Sequence, residues 1–344
     1  MRIAQIAPLY ESVPPKRYGG IERVVSWLTE ELVSQGHDVT LFASGDSQTT
    51  AHLYAGCEKP LRLDQRFADK TIPHMLMMEV LTDPAWQFDI VHYHGEYQHL
   101  PSSLRLPITT RSLATCHRQL ETPYLKEFLT RFPEAHYVSI SDSQRRPLPW
   151  LNWLRTIHHG MPEGLYSFQK KRGDYLAFVG RMSPNKGPDL AIAIARQFQM
   201  PLKMAAKIGE VEKGYYHEVI EPMLTSYPSA EYIGEITDAE KDELIGNAYA
   251  LLHPVRFQEP FGLVLIESLA CGTPVVAFGN GSIPEVIEHG LTGFVCNDVD
   301  SAVQALAKIP QIDRRTCRSE FERRFGVSRM AQEYIEVYQA LLNQ

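Results

Sequence analysis

Residues 2–43 decide the fold class of this chain: they read RIAQIAPL (2–9), IERVVSWLTEEL (21–32) and DVTLFA (38–43). The first and third pieces are short apolar runs typical of strands. The middle piece repeats its apolar residues at intervals of three and four, which is the spacing of one helix face. Gly36 follows as a helix stop signal. Strand, helix and strand in succession form a βαβ unit, which predicts a parallel sheet covered by helices.

The same alternation continues in two series, separated by a break near residues 160–172. In the first series, residues 46–75 follow no clear period, and further strands are predicted at 88–92, 108–115, 135–140 and 156–158. The second series predicts strands at 175–180, 202–206, 231–236, 250–255 and 274–278, with helices at 189–198, 238–249 and 262–270. A closing helix is predicted by the helical spacing of Met330, Tyr334, Val337, Tyr338 and Leu341.

Length and composition describe an ordinary folded protein of about two domains. The 344 residues are 44% hydrophobic and 22% charged, which excludes the disordered and fibrous classes. The net charge of -7 argues against nucleic acid as a partner, because phosphate contacts need clustered cations. The five cysteines are scattered without a CxxC pair, and neither a signal peptide nor a spanning run of about 18 apolar residues is visible. We therefore expect a cytoplasmic protein without a disulfide framework or a cysteine zinc site.

A glycine pair stands between the first strand and the first helix. Gly19 and Gly20 would let the backbone approach a ligand, and the helix beyond them offers free N–H groups with a partial positive charge. A flexible turn explains the pair equally well. The nearest match to a GxGxxG dinucleotide fingerprint, residues 279–284, has Pro284 in place of the third glycine, which argues against a nicotinamide or flavin site.

Two cations lie in the loop after the first strand of the second series. The segment GRMSPNKG (180–187) carries Arg181 and Lys186 five residues apart, so both side chains can converge on one anion. Gly187 frees the backbone to bend around that anion. Arginine offers a planar fork of donors and lysine a compact charge, a combination suited to a diphosphate. A solvated basic loop is the alternative.

Two glutamates flank a predicted helix start farther along the chain. In EPFGLVLIE (259–267), Glu259 ends the loop after a strand, and Pro260 fits the first helical position. Glu267 stands in an otherwise apolar run, where a carboxylate is costly without a partner. Vicinal ribose hydroxyls would be one suitable partner, and a buried arginine would be the other.

Together these motifs resemble the retaining glycosyltransferases of family 4, which have the GT-B fold. The resemblance rests on GR and KG in 180–187 and E-x7-E in 259–267, with YGGIER (18–23), DIVHYH (89–94), GTPVVA (272–277) and GLTGF (290–294). Residues 7–20 also resemble the avilamycin-pathway subgroup.

The resemblance implies an α/β architecture of two Rossmann-like, doubly wound domains facing a deep inter-domain cleft. Residues 1–165 would form the acceptor domain and residues 166–325 the nucleotide-sugar donor domain. Residues 326–344 would form a C-terminal helix that packs back toward the N-terminal domain.

Each matching residue receives a role from the resemblance. Arg181 and Lys186 would bind the donor diphosphate, helped by backbone N–H groups near Gly19 and Gly20. Glu267 would bind the donor ribose.

The transferred sugar would be bound by Glu259, by His117 after a strand, and by the backbone at Phe261, Gly262 and Leu263. The base would lie near residues 207–209 and 235–236, which include Lys207 and Ile236. The expected catalytic residues are therefore His117, Glu259, Arg181 and Lys186.

The implied reaction transfers a sugar from a nucleotide diphosphate to an acceptor hydroxyl, with retention of configuration and without a metal or other cofactor. UDP is the expected nucleotide and GDP the next choice. The acceptor would be a saccharide, a lipid-linked molecule or a natural product. Three alternatives remain on the same fold: a sugar-nucleotide epimerase, a phosphorylase and a non-catalytic nucleotide-sugar-binding protein.

The remaining histidines and tryptophans are less informative. His92 and His94 alternate on a strand and point the same way, as two metal ligands would, but no third ligand stands at a suitable spacing. His94 is also a candidate for the acceptor side. His158 and His159 are expected to be structural. Residues 145–153 mix cations with tryptophans and allow at most a peripheral membrane contact.

Overall fold

The computed structural model describes residues 1–17, 19–83, 85–95, 97–106 and 110–344. The chain divides into two compact units: unit 1 comprises Met1–Pro162 with Val327–Gln344, and unit 2 comprises Glu163–Gly326. Unit 2 is therefore inserted in the sequence of unit 1. Tyr18 of the first glycine motif and residues 108–109 of one predicted strand lie outside the described residues.

The elements follow one another in chain order. The strands are β1 (Arg2–Ile6), β2 (Asp38–Ser44), β3 (His52–Cys57), β4 (Ile90–Tyr93), β5 (Arg111–Thr115), β6 (Tyr137–Ser139), β7 (Trp153–Thr156), β8 (Leu176–Arg181), β9 (Leu202–Lys207), β10 (Ala230–Gly234), β11 (Ala250–His253), β12 (Val275–Phe278) and β13 (Gly293–Cys296). The helices are α1 (Gly20–Ser34), α2 (Thr71–Val80), α3 (Leu100–Ser103), α4 (Leu125–Leu129), α5 (Asp142–Arg145), α6 (Pro188–Phe198), α7 (Lys213–Tyr215), α8 (Glu221–Ser226), α9 (Asp238–Gly246), α10 (Leu263–Ala270), α11 (Ile283–Val286), α12 (Val299–Leu306), α13 (Arg314–Phe325) and α14 (Val327–Leu342). Single 3₁₀ turns lie at Pro184–Lys186, Glu210–Glu212 and Ile309–Gln311, and a π-helical turn lies at Tyr216–Ile220.

Unit 1 is built on a parallel sheet whose seven described strands run in the order β3-β2-β1-β4-β5-β6-β7. The order reverses at β1, which pairs with β2 on one side and with β4 on the other. In open parallel sheets, ligands bind outside the carboxyl ends of the strands at such a reversal. The carboxyl ends of β1 and β4 are therefore the place in unit 1 where functional side chains are expected.

Helix α1 forms because its apolar residues share one face and have a sheet to cover. Val25 packs in a buried cluster with Leu41 and Ala43 of β2. Full burial of such a side chain is worth about 1.5–3 kcal/mol. Four residues make up this apolar face: Val24, Val25, Leu28 and Leu32. Helix α14, at the other end of the chain, packs against α1.

Unit 2 repeats the design with six strands among its residues, in the order β10-β9-β8-β11-β12-β13. All neighbouring pairs are parallel, and the order reverses at β8, which pairs with β9 and β11. The prediction of two Rossmann-like, doubly wound α/β domains is confirmed. In this unit each strand predicted from the sequence lies within two residues of an observed one.

The sequence pattern was less accurate in unit 1. The strand expected at 156–158 lies at Trp153–Thr156 instead. Residues 46–75 contain β3, which is the edge strand of the sheet and has a half-exposed surface, so it lacks the apolar run of a central strand.

The tryptophan-rich segment 145–153 packs largely on its own unit. Trp153 donates its ring N–H to the carbonyl of Leu148 at 2.9 Å, and the Arg145 guanidinium lies 5.5 Å from the Trp153 ring centre. Trp150 remains 42% exposed. Within the described ranges, none of the helices has the length and apolar character needed to cross a membrane.

Candidate active site

The predicted donor-binding residues of unit 2 follow successive strands of its sheet. Arg181 ends β8, Lys207 ends β9, and Ile236 lies two residues beyond β10. His253 ends β11, and the loop that follows carries Glu259. Because parallel strands direct their carboxyl ends to one edge, all these residues gather at the edge that contains the reversal between β8 and β11.

The loop that carries Lys186 is fixed by a glycine and by an ion pair. Gly187 has a φ of +71°, and a Cβ there would lie 2.2 Å from the carbonyl oxygen of Pro254, so a side chain is excluded. Arg256 donates to the carbonyl of Pro184 at 2.8 Å and to the carboxylate of Asp189 at 2.7 and 2.5 Å. These contacts hold the turn before α6 in one conformation.

Glu259 is the most strongly perturbed carboxylate at this edge. It is 7% exposed, accepts from Lys186 Nζ at 2.5 Å, and lies 3.2 Å from Nε2 of His253. Burial raises the pKa of Glu259, but the Lys186 ammonium and the His253 hydrogen bond outweigh burial and lower the pKa to about 2. Burial lowers the pKa of His253, so its neutral imidazole donates to an ionised Glu259 near pH 7.

Glu267 has a cationic partner within the protein, and that partner is a lysine rather than an arginine. Gly262, with a φ of +84°, directly precedes α10. Glu267 lies just over one turn into that helix and is 3% exposed. Lys241 of α9 donates to Glu267 Oε1 at 2.7 Å and lies 3.4 Å from Asp238. The buried carboxylate is therefore compensated before any ligand binds.

Arg181 and Lys186 each face a carboxylate of their own. Arg181 lies 3.8 Å from Glu212 and its side chain is 46% exposed, whereas Lys186 is largely covered and pairs with Glu259. The Lys186 ammonium also lies 4.6 Å from the centre of the Phe257 ring. The two cations belong to the same strand end and loop, as the sequence predicted, and their carboxylate partners come from elsewhere in the unit.

Backbone positions assigned to the donor lie where strands and helices meet. Phe261 is a core residue whose ring packs 6.1 Å from that of Phe325, and its carbonyl accepts from the Ser282 hydroxyl at 3.0 Å. Leu263 is the first residue of α10. In unit 1, α1 begins at Gly20, so the glycine pair forms the start of that helix.

His117 follows β5 at the carboxyl edge of the unit 1 sheet and belongs to a buried cluster of polar side chains. Its Nε2 lies 3.0 Å from Nδ1 of His94, and His94 Nε2 lies 2.6 Å from Oε1 of Gln5 on β1. Burial lowers the pKa of His117 to about 3, and burial with neighbouring histidines lowers the pKa of His94 well below its ordinary value. Both rings are therefore neutral near pH 7.

The neighbouring histidines join the same cluster. His92 lies 2.7 Å from both the Tyr338 hydroxyl and the Thr115 hydroxyl, and the His159 ring stacks on His117 with centres 5.2 Å apart. His159, which is buried, therefore also contacts the predicted site residue His117. In the part of the chain that the structure describes, no three histidine, cysteine, aspartate or glutamate side chains form a group that could hold a metal ion.

Sequence reasoning missed the partners that set the charge of each site residue. His253 carried a signal, because it lies in the predicted strand 250–255, six residues before Glu259. Lys241 carried none, because it lies on a separate helix 26 residues before Glu267. Gln5 stands inside the first apolar run and is fully buried, which is a pattern that marks a polar residue with a specific partner.

Two family models match the chain, one on each series of strands. The family model "Glycosyltransferase Family 4" matches residues 18–176, and the model "Glycosyl transferases group 1" matches residues 167–319. The glycogen synthase of Mycobacterium tuberculosis (strain ATCC 25618 / H37Rv) is 23% identical over 386 residues, covering 94% of this chain and 90% of that protein.

Two solved structures share the fold over nearly their whole length. AviGT4, a glycosyltransferase involved in avilamycin A biosynthesis, has a TM-score of 0.77 at 24% identity and covers 100% of this chain and 98% of its own. Anabaena HepE, in complex with UDP-glucose, has a TM-score of 0.76 at 17% identity, with coverage of 99% and 100%. With one family model on each series of strands, the chain belongs to the GT-B glycosyltransferases of the family 4 type.

Proposed function

We propose that this glycosyltransferase moves a hexosyl group from a nucleotide-diphosphate sugar to an acceptor hydroxyl, with retention of configuration and without a metal. UDP is the first choice of nucleotide and GDP the second. The observation that carries the proposal is the Glu259 carboxylate, paired with Lys186 and His253 where the strand order of unit 2 reverses. HepE, which shares the fold, is described in complex with UDP-glucose.

The donor diphosphate is assigned to Arg181 and Lys186. As the bond to the sugar breaks, negative charge accumulates on the departing phosphate, and fixed cations stabilise that charge. Arg181 is exposed enough to meet a ligand, and its planar fork can bind two phosphate oxygens. We assign Gly19 and Gly20 to the same anion, because the start of α1 carries a partial positive charge.

Glu259 and His117 are assigned to the transferred sugar. Because its pKa lies near 2, Glu259 is ionised at neutral pH and can stabilise the positive charge that develops on the sugar ring. In the proposed step, the bond from C1 to the phosphate oxygen breaks while the acceptor oxygen bonds to C1 on the same face. The acceptor proton passes to the departing phosphate, so Glu259 forms no covalent bond.

The nucleoside is assigned to Glu267 and to the ends of β9 and β10. A carboxylate has about four acceptor positions, so the single contact from Lys241 does not exhaust Glu267, and ribose hydroxyls can donate to it. Lys207 and Ile236 follow neighbouring strands and are placed beside the base. Unit 2 is on this basis the donor domain.

Unit 1 with its returning helix is then the acceptor domain. The likeness to AviGT4 supports the proposal of the avilamycin-pathway subgroup, and the proposed acceptor is a saccharide, a lipid-linked molecule or a natural product. We further propose that the enzyme acts in the cytoplasm.

Product stereochemistry tests the reaction. Nucleotide sugars are screened by thermal shift, and the product of the best donor is examined by NMR in buffer with excess EDTA. We expect a retained anomeric configuration and undiminished turnover. An inverted product refutes the same-face step, and loss of turnover in EDTA refutes metal independence.

A pair of lysine variants tests the site. Lys186→Met should lower kcat by about 10²–10³, the usual loss when one charge-stabilising donor is removed. Lys213→Met is the matched control, because Lys213 is an exposed lysine paired with Glu210 at 2.8 Å. Equal activity of the two variants contradicts the assignment of Lys186.

A further inference from the structure

A line of hydrogen-bonded side chains ends at His117. It begins at Gln5 on β1, passes through His94 after β4 and reaches His117 after β5, with atom separations of 2.6 and 3.0 Å. Gln5 and His94 are 0% and 2% exposed. Nδ1 of His117 is buried and has no hydrogen-bond partner among the residues that the structure describes.

The donor and acceptor at each atom follow from Gln5. Its amide Nε2 donates to the Tyr338 hydroxyl at 3.2 Å, which leaves its carbonyl oxygen facing Nε2 of His94. A carbonyl oxygen only accepts, so His94 carries its proton on Nε2. A neutral imidazole has one donor and one acceptor, so Nδ1 of His94 accepts from Nε2–H of His117. Nδ1 of His117 is then left with a lone pair.

Neighbouring contacts are compatible with this orientation of the Gln5 amide. The Tyr338 hydroxyl accepts from Gln5 and donates to Nδ1 of His92 at 2.7 Å. His92 then donates from Nε2 to the Thr115 hydroxyl at 2.7 Å. In that direction each contact from Gln5 to Thr115 has one donor and one acceptor, and burial keeps His94 and His117 neutral.

We propose that Gln5 and His94 are positioning residues that hold His117 as the Nε2–H tautomer, so that its Nδ1 accepts a hydrogen bond from a substrate hydroxyl. The proposal rests on the assignment of His117 to the transferred sugar. It adds a requirement on the substrate: the sugar must present a free hydroxyl as donor to Nδ1. A deoxy or O-methyl sugar at that position cannot supply the proton and leaves the buried lone pair unpaired.

The tautomer can be read directly by NMR of the full-length protein labelled with ¹⁵N-histidine. Two-bond proton–nitrogen correlations at pH 7.5 distinguish the two neutral forms, and the His117 signals are assigned by their loss in His117→Gln. We expect the wild-type protein to show a protonated Nε2 and a bare Nδ1 at His117. A protonated Nδ1 means that the line runs in the opposite direction and overturns the proposal without any variant of Gln5.

A pair of variants then tests the cause. Gln5→Met removes the carbonyl that sets the direction while keeping the buried volume, and we expect a mixture of His117 tautomers with kcat about tenfold lower. Ser139→Ala removes a buried hydroxyl on strand β6 that bonds to Thr156 outside this line, and it should leave the His117 tautomer unchanged. An unchanged tautomer in Gln5→Met overturns the positioning role. If the wild-type tautomer is as expected but no nucleotide sugar is turned over, the proposed function fails and the tautomer assignment stands.

Discussion

Replacing Lys186 with methionine removes one charge from a buried pair and leaves most of the packing intact. The methionine side chain keeps the apolar stem beside Phe257, whereas the ammonium that lies 2.5 Å from Glu259 is lost. Glu259 is 7% exposed, so water cannot replace the missing cation. The carboxylate then keeps its hydrogen bond with His253, the last residue of β11.

The pKa of Glu259 sets the size of the effect. Its native value of about 2, against an ordinary value of 4.5, contributes about 3 kcal/mol to the free energy of unfolding at pH 7. Because the native pKa is depressed, this contribution is complete above pH 4.5 and is lost as the pH falls toward 2. We expect Lys186→Met to lose about 3–5 kcal/mol at pH 7, the usual cost of removing one partner of a buried ion pair, with a smaller difference from wild type at lower pH.

The assay is urea unfolding followed by far-UV circular dichroism. Tryptophan fluorescence would miss the change, because all four tryptophans belong to unit 1 and Lys186 belongs to unit 2: Trp27, Trp86, Trp150 and Trp153. The double variant Lys186→Met/Glu259→Gln removes the uncompensated charge and should recover about 2 kcal/mol. A loss below about 1 kcal/mol in the single variant, or a double variant no more stable than the single one, refutes the charge argument.

Three further changes have expected outcomes. Gly187→Ala should lower the free energy of unfolding, measured by thermal denaturation, by about 1–3 kcal/mol, because the new Cβ would meet the Pro254 carbonyl. Gly290→Ala, also at positive φ but with open space around it, should cost less, and equal losses would contradict the close approach at Gly187. Burial lowers the pKa of His99 to about 3, so between pH 6 and 4 only the unfolded chain takes up the His99 proton. His99→Phe should therefore reduce the dependence of unfolding free energy on pH in that range by about 1.4 kcal/mol per pH unit. An unchanged slope in urea titrations followed by fluorescence would contradict a buried, neutral His99. The Arg314 guanidinium donates to the carbonyls of Gln169, Ala248 and Gly246, and one ammonium cannot replace it. Arg314→Lys should therefore lower the free energy of unfolding in urea by about 3 kcal/mol. A loss within about 0.5 kcal/mol would show that those contacts are dispensable.

The fold could be predicted because its signals are local. Apolar runs of four to six residues and helices with one apolar face repeat along the chain, and each alternation indicates a covered parallel strand. Strand β3 was not predicted because, as an edge strand, it is half exposed and has no apolar run.

The candidate site could be predicted only in part, for a physical reason. Arg181 and Lys186 share one strand end and loop, and Glu259 and Glu267 share one helix start, so their spacing is visible in the sequence. The contact of Glu267 with Lys241 joins two helices, and that of Gln5 with His94 joins strands 89 residues apart. Such pairs are created by tertiary packing, which spacing along the chain does not reveal.

The insertion of unit 2 within unit 1 has a consequence for synthesis of the protein on the ribosome. The first 162 residues leave the ribosome without α14, whose Tyr334 and Tyr338 later contact Thr115 and His92. Making Glu163–Gly326 takes about 10–30 s at roughly 5–20 residues per second. During that interval the surface of residues 1–162 that α14 later covers remains exposed. Unit 2 is continuous and can fold first, so the unit whose sheet the ribosome makes first is the one completed last.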